Sequence, residues 1–250
     1  IIVDKVIAPK KHWRYFSENI VCLPRCYQIN NNKIIIPQKE FNRKDFNLPE
    51  KGVIFVSFVQ ALKIDLTIWK VWMNILRQVP ESILWLWEQN KDVTKNLRKE
   101  AEKENINPKR LFFSPRLPKP DHLNRLKLAD IALDTRIYGG HTTTSDMLWA
   151  GVPVITKIGN HFASRVCASI LTEAGIPELI THSLKEYEDK AVYLANHPEE
   201  LAKIRKKITQ ENLKKNLYDT EGFVRDLERA YLLMWKRYKN GQPSTTINLK

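Results

Sequence analysis

Between residues 52 and 181, short apolar runs alternate with longer segments whose apolar residues recur at helical spacing, and nothing else in the chain restricts its fold as tightly. The run Gly52-Val53-Ile54-Phe55-Val56-Ser57-Phe58 is continuous, as expected of a strand buried on both faces. In the segment that follows, Leu66 to Val79, the residues Ile68, Val71, Trp72, Ile75 and Leu76 share one helical face, and Pro80 stops the helix. The unit then repeats. Strands are expected at Ser82 to Trp87, Leu111 to Phe113, Ile131 to Leu133 and Val152 to Thr156. The helices between and after them are expected at Val93 to Glu104, Pro120 to Leu128, Thr143 to Ala150 and Ser164 to Ala174. Strand–helix–strand units close right-handedly, so the pattern implies an α/β fold: a doubly wound parallel sheet with flanking helices.

The rest of the chain is different in character. Residues 1 to about 30 read as a strand, a helix around Tyr15 to Ile20 and a loop, all outside the main sheet. Residues 31 to 51 mix Asn, Lys and Pro with short apolar pieces, which is linker composition. From Ser183 onward the pattern is helical, at Leu184 to Asn196, Pro198 to Leu213 and Gly222 to Tyr238. An opening that is strand-like from Ile1-Ile2-Val3, without Met, leads us to expect a segment of a longer chain.

Composition excludes several classes. Hydrophobic residues make up 43% of the chain and include seven Trp, enough for a core without disulfide staples. Cys22, Cys26 and Cys167 form no Cys-x-x-Cys pair and have no partners at zinc-ligand spacing, so they read as reduced thiols of a cytoplasmic or nuclear protein, with no metal site. No apolar run approaches a membrane span, and Ile83-Leu84-Trp85-Leu86-Trp87 is short enough to be a buried strand. The net charge of +13 raises a nucleic-acid partner. Yet the lysines are scattered, interleaved on one helix with Glu100, Glu102 and Glu104, and no basic run carries stacking aromatics, so such a partner is disfavoured.

Three strand-to-helix loops carry candidate chemistry. In Leu133-Asp134-Thr135-Arg136-Ile137-Tyr138-Gly139-Gly140-His141-Thr142-Thr143-Thr144-Ser145-Asp146 a strand end is followed by two glycines, a His and three threonines that open a helix. Free N–H groups and the positive end of the helix dipole attract phosphate there, and glycines let the backbone approach a ligand. Ordinary capping by Thr142 or Thr143 is the alternative. The second loop, Phe58 to Ile64, presents Lys63, which could neutralise a diphosphate leaving group or simply be a solvated lysine. The third, Ser114 to Arg125, offers the His122 ring for stacking on a base and Lys119 for a ribose or phosphate. Singly these are surface residues as readily as ligands; three such loops at the strand ends of one sheet have more weight.

The order of these motifs resembles the C-terminal catalytic lobe of the protein O-GlcNAc transferase family. The resemblance rests on Phe58-x-Gln60-x-x-Lys63-Ile64-Asp65, Ser114-Pro115-x-x-Pro118-Lys119-x-x-His122, and Leu133-Asp134-Thr135 with His141-Thr142-Thr143 and Asp146-x-Leu148-Trp149-Ala150-Gly151-x-Pro153. Ala163-Ser164-Arg165-Val166 and the late Leu227-Glu228-Arg229-Ala230-Tyr231 support it. It runs from about residue 52 to 240, with a weaker echo in residues 1 to 30.

The resemblance implies a GT-B nucleotide-binding lobe and an inverting, metal-independent transfer of GlcNAc from UDP-GlcNAc to Ser or Thr of intracellular proteins. It implies that Gln60 and Lys63 contact the diphosphate and that His141, Thr142 and Thr143 bind phosphate at the helix start. Lys119 and Asp146 would hold the ribose and His122 would stack on uracil, while the backbone at Leu117, with Arg125, would read the base edge. Lys63 and His141 would be the catalytic pair. It also implies a division at 1–50 (end of the first catalytic lobe and linker), 51–210 (UDP-sugar lobe) and 211–250 (a C-terminal helix packing back across the lobes). Tetratricopeptide repeats and most of the first lobe would lie outside this chain. Human-like members carry a small residue where this chain has Tyr138, beside the N-acetyl pocket, whereas His141 favours GlcNAc. A fucosyl- or glucosyltransferase, a UDP-GlcNAc 2-epimerase and a non-catalytic basic binding module are the competing readings.

Overall fold

The computed structural model describes residues 1–36 and 40–249. Residues 37–39, inside the expected linker, and Lys250 lie outside the described residues. The chain opens with β1 (Ile2–Asp4), a 3-10 helix (Lys10–Tyr15) and β2 (Val21–Leu23). The alternating region then gives β3 (Ile54–Ser57), α1 (Leu66–Gln78), β4 (Ile83–Trp87), α2 (Lys91–Lys103), β5 (Leu111–Ser114), α3 (Lys119–Leu126) and β6 (Ile131–Leu133). It continues through α4 (Thr142–Trp149), β7 (Val154–Lys157), α5 (Val166–Glu173) and β8 (Ile180–Thr181). The chain finishes with α6 (Leu184–Asn196), α7 (Pro198–Lys207), α8 (Gln210–Leu213), α9 (Thr220–Lys239) and β9 (Ile247–Asn248).

Six strands form one sheet in the order β5-β4-β3-β6-β7-β8, and each paired neighbour is parallel. The central strand β3 is buried along its whole length, which is why its sequence is a continuous apolar run. Asp65 caps α1 by accepting from the Thr67 and Ile68 N–H groups, and the apolar face of α1 buries Ile68, Val71, Trp72, Ile75 and Leu76. Each large side chain so buried contributes about 1.5–3 kcal/mol of hydrophobic stabilisation. Buried polar atoms are paired across elements. Trp72 Nε1 donates to the Tyr187 hydroxyl (3.2 Å), which donates to the Asp134 carbonyl (2.9 Å), linking α1 and α6 to the end of β6.

Residues 1 to 30 lie outside this sheet, as expected, but they are organised differently from the sequence reading. The helix expected at Tyr15 to Ile20 is instead the 3-10 helix at Lys10–Tyr15, entered through Pro9. Residues 21–23 are a strand, paired in parallel with β1 on one side and with β9 on the other. Asp4 sets this up: its carboxylate accepts from the Val6 and Ile7 N–H groups (2.8 Å each), the Tyr27 N–H (2.9 Å) and the Ser169 hydroxyl (2.6 Å). The expected helix Pro198 to Leu213 is broken, because Thr209 caps α8 through the Asn212 N–H. Arg25 joins Asp219 (2.9 Å) and Asp226 (2.7 Å), fixing α9 against the three-stranded sheet. Among the described residues, no helix is long and apolar enough to cross a membrane.

Candidate functional site

The sheet order places a topological switch between β3 and β6: the chain leaves β3 toward β4 and β5, then returns to build β6, β7 and β8 on the other side. Loops leaving the carboxyl ends of two such strands diverge and open a crevice, the usual ligand site of an open parallel sheet. Two of the three candidate loops, Phe58 to Ile64 and Asp134 to His141, are those loops.

The β6 loop is folded around Asp134. This buried carboxylate accepts from the Gly140 N–H (2.7 Å) and the Thr156 hydroxyl (2.7 Å), while burial raises its pKa against those bonds. A Cβ on Gly140 would come 2.4 Å from Thr144 Oγ1, and one on Gly139 would come 3.0 Å from Asp134 Oδ2. Gly140 is therefore required by the loop's own packing, whereas the sequence suggested approach of a ligand, and a side chain at Gly139 would press on Asp134. His141 occupies the N-cap of α4 and no side chain caps the helix, so the capping alternative for Thr142 or Thr143 is not realised. The first-turn N–H groups at the positive helix end have no side-chain cap, and Thr143 and Thr144 of that turn line the space at the switch with Gly140.

Lys63 closes a 3-10 turn whose first carbonyl, that of the exposed Gln60, accepts the Lys63 N–H at 2.9 Å. Its ammonium lies 3.8 Å from the centre of the Tyr138 ring. Burial lowers the Lys63 pKa and the nearby Asp134 opposes that shift. The Tyr138 and His141 rings pack in a T-shaped arrangement with centroids 5.3 Å apart, and the Tyr27 hydroxyl lies 3.5 Å from His141 Nδ1. Burial, and then Lys63, lower the His141 pKa, so a neutral imidazole is favoured. Its Nε2 is buried and has no protein partner.

The third loop builds an adjoining cleft of about 260 Å³, lined by Leu117, Lys119, His122, Arg125 and Asp146 together with Phe58, Trp87 and Arg116. Phe58 also lines the crevice at the switch, so the two spaces adjoin through one side chain. Lys119 pairs with Asp146, which is 7% exposed and whose carboxyl pKa is raised by burial against the pull of Lys119. Arg125 is 2% exposed and donates to the Pro115 carbonyl (2.7 Å) and to His122 Nδ1 (3.0 and 3.2 Å), with its guanidinium 4.5 Å from the Phe58 ring centre. Accepting at Nδ1 leaves the His122 proton on Nε2. Burial, Arg125 and Lys119 push the His122 pKa down to about 3, so the ring is neutral. A neutral ring in a half-apolar cleft is suited to stacking on a flat heterocycle.

Of the residues singled out from the sequence, Leu117, Lys119, His122, Arg125 and Asp146 line the cleft, Thr143 lines the space at the switch, and Lys63 and His141 both meet the Tyr138 ring. Gln60 and Thr142 are exposed at the rim. Sequence reasoning missed Trp87 and Arg116 as lining residues, and it missed Tyr27 altogether. Trp87 closes the expected strand β4, so its place at a carboxyl end was a usable signal. Tyr27 comes from 114 positions away, and no local pattern marks it. Among the described residues, no three His, Cys, Asp or Glu side chains assemble as a set that could hold a metal.

A six-stranded parallel sheet in this order, flanked by helices, is a lobe of the GT-B glycosyltransferase fold. Residues 31–227 match the model of glycosyl transferase family 41, and the chain belongs to that family. It is 37% identical over 248 residues to the probable UDP-N-acetylglucosamine–peptide N-acetylglucosaminyltransferase SEC of Arabidopsis thaliana, covering 97% of this chain and 25% of that protein. It is 37% identical over 202 residues to the UDP-N-acetylglucosamine–peptide N-acetylglucosaminyltransferase of Caenorhabditis elegans, covering 81% and 18%. An O-GlcNAc transferase structure from Thermobaculum terrenum superposes with a TM-score of 0.84 at 28% identity, over 94% of this chain and 44% of that one. The chain therefore spans a quarter or less of these two curated relatives and under half of the solved one.

Proposed function

We propose that this chain is the donor-binding part of an enzyme that transfers GlcNAc from UDP-GlcNAc to Ser or Thr hydroxyls of proteins. The observation that carries the reading is the meeting of Lys63 and His141 at the Tyr138 ring, with His141 at the uncapped start of α4, together with the cleft lined by His122, Lys119 and Asp146. In this reading uracil stacks on His122, the ribose hydroxyls meet the Lys119–Asp146 pair, and the diphosphate lies against Lys63 and the α4 N-terminus. The names of the Arabidopsis and Caenorhabditis relatives support the donor and the peptide acceptor.

The chemistry follows from charge. As an acceptor oxygen attacks the anomeric carbon from the face opposite the departing diphosphate, the configuration inverts and negative charge develops on the leaving oxygen. Lys63, a proton on His141 Nε2 and the helix dipole would stabilise that charge as fixed, partly desolvated donors. We propose that they do so without a metal ion. Residues 1–50 would then close a first catalytic lobe supplying acceptor contacts, and α9 with β9 would pack back across both lobes. The three free, buried cysteines fit a reducing compartment, cytoplasmic or nuclear.

Calorimetric titration of the 250-residue chain with UDP tests the reading. Lys63→Ala is expected to lose about 1.5–3 kcal/mol of binding free energy, the range for a hydrogen bond to a charged group. Unchanged affinity in that variant would remove Lys63 from the diphosphate site.

A further inference from the structure

The two loops of the switch crevice come from opposite halves of the sheet, and two side-chain contacts join them. In one, Arg136 forks onto Asp65, with Nε 2.9 and 3.0 Å from the two carboxylate oxygens. In the other, two residues further along, the Tyr138 ring lies under the Lys63 ammonium, 3.8 Å from centroid to Nζ. The same ring packs against the His141 ring in a T-shaped arrangement, centroids 5.3 Å apart. The backbone under Tyr138 is fixed: the Thr135 hydroxyl donates to the Tyr138 carbonyl (2.7 Å), and the Gly139 N–H donates to the Ala163 carbonyl (3.0 Å). Even so, Tyr138 is 43% exposed, so core packing does not explain the ring's place.

From this geometry we propose that Tyr138 is a positioning residue for the donor diphosphate, its ring face holding the Lys63 ammonium and its T-shaped contact steadying the His141 imidazole. A lysine side chain has four rotatable bonds, and fixing its end costs rotamer entropy that a ligand would otherwise have to supply. The negative face of an aromatic ring attracts the ammonium and bears that cost before the donor arrives. Asp134 lies beneath the same loop, but its oxygens are engaged by Gly140 and Thr156, which leaves the ring as the direct contact of the ammonium. Arg136 on Asp65 sets the spacing of the two loops, and Tyr138 uses that spacing to reach Lys63.

This inference rests on the reading of Lys63 as a diphosphate ligand, and the test separates the two. UDP is titrated into the wild-type chain, Tyr138→Phe, Tyr138→Leu, Lys63→Ala and the Lys63→Ala/Tyr138→Leu double variant. Tyr138→Phe keeps the ring face and is expected to bind within about twofold of wild type, while Tyr138→Leu weakens binding about three- to tenfold, the scale of a half-exposed cation–π contact. In the Lys63→Ala background the leucine substitution is expected to cost less than about 1.5-fold, since its effect passes through the lysine. Equal losses from Tyr138→Leu in both backgrounds, or a loss in Tyr138→Phe as large as in Tyr138→Leu, overturn the positioning role. Unchanged affinity in Lys63→Ala alone overturns the diphosphate reading and the positioning role with it.

Discussion

His122 is held neutral by its surroundings, and that has a measurable consequence. Its pKa falls from the ordinary 6.5 to about 3, first because burial penalises the charged ring and then because Arg125 and Lys119 are close. A histidine with a lowered folded pKa takes up a proton in the unfolded chain before it does so in the folded one. Its contribution to stability is therefore complete above pH 6.5 and is lost as the pH falls toward 3. Within that window the slope approaches about 1.4 kcal/mol per pH unit for a single group. We expect the urea midpoint of the wild-type chain to drop between pH 6.5 and 4 more steeply than that of His122→Phe; parallel pH profiles would show that the ring titrates normally. At this scale the sequence was informative where a motif is local. His122 stands three residues before Arg125, one helical turn, and the two meet on α3. Tyr27 was invisible because its approach to His141 depends on a segment anchored by Asp4, Ser169 and Glu173, far apart in the chain.

The element that decides the site is α4 with the loop that feeds it. Gly140 has no room for a side chain: a Cβ would sit 2.4 Å from Thr144 Oγ1 and 2.8 Å from Thr143 Oγ1, both on β-branched residues in the first turn of the helix. Gly140→Ala must therefore push the loop off Asp134 or shift the helix start. Overpacking of this kind costs about 1–3 kcal/mol. The expected outcome is a lower thermal midpoint together with weakened UDP binding, because the displaced N–H groups are those aimed at the crevice. A variant that melts lower but binds UDP as tightly as wild type would detach the helix start from the site. Element type and order between residues 52 and 174 were legible because strand and helix periods differ and each strand is bounded by turn residues, whereas the sixth strand, β8, was not expected. The misplaced helix near Tyr15 is a six-residue 3-10 helix, and the missed strands β2, β8 and β9 have three, two and two residues, all too brief to show a period.

For the whole molecule, the chain holds the six-stranded sheet with its switch crevice and a small three-stranded sheet, and it spans 25% of the length of its Arabidopsis relative. The groups that we propose hold the diphosphate, Lys63, His141 and the start of α4, are donors and cations. The nearby Asp134 carboxylate is spent on Gly140 and Thr156, so it is poorly placed to take a proton from an acceptor hydroxyl. We therefore expect the 250-residue chain to bind UDP without transferring sugar. In a radiolabelled-donor assay with a Ser- and Thr-rich peptide, transfer well above a His141→Ala control would show that an acceptor site is already present. The sequence by itself determined the parallel α/β lobe, the three loops at its strand ends and the residue types in them, because these depend on neighbours within a few positions. Only the tertiary structure decided that the Gly139-Gly140 turn is packed for Asp134, that Tyr138 spans the gap to Lys63, and that residues 1–30 deliver Tyr27 to His141. Those contacts join positions 6 to 114 residues apart. They exist because parallel strands order the loops by sheet position, and sheet position is set by packing the whole chain, which no local pattern encodes.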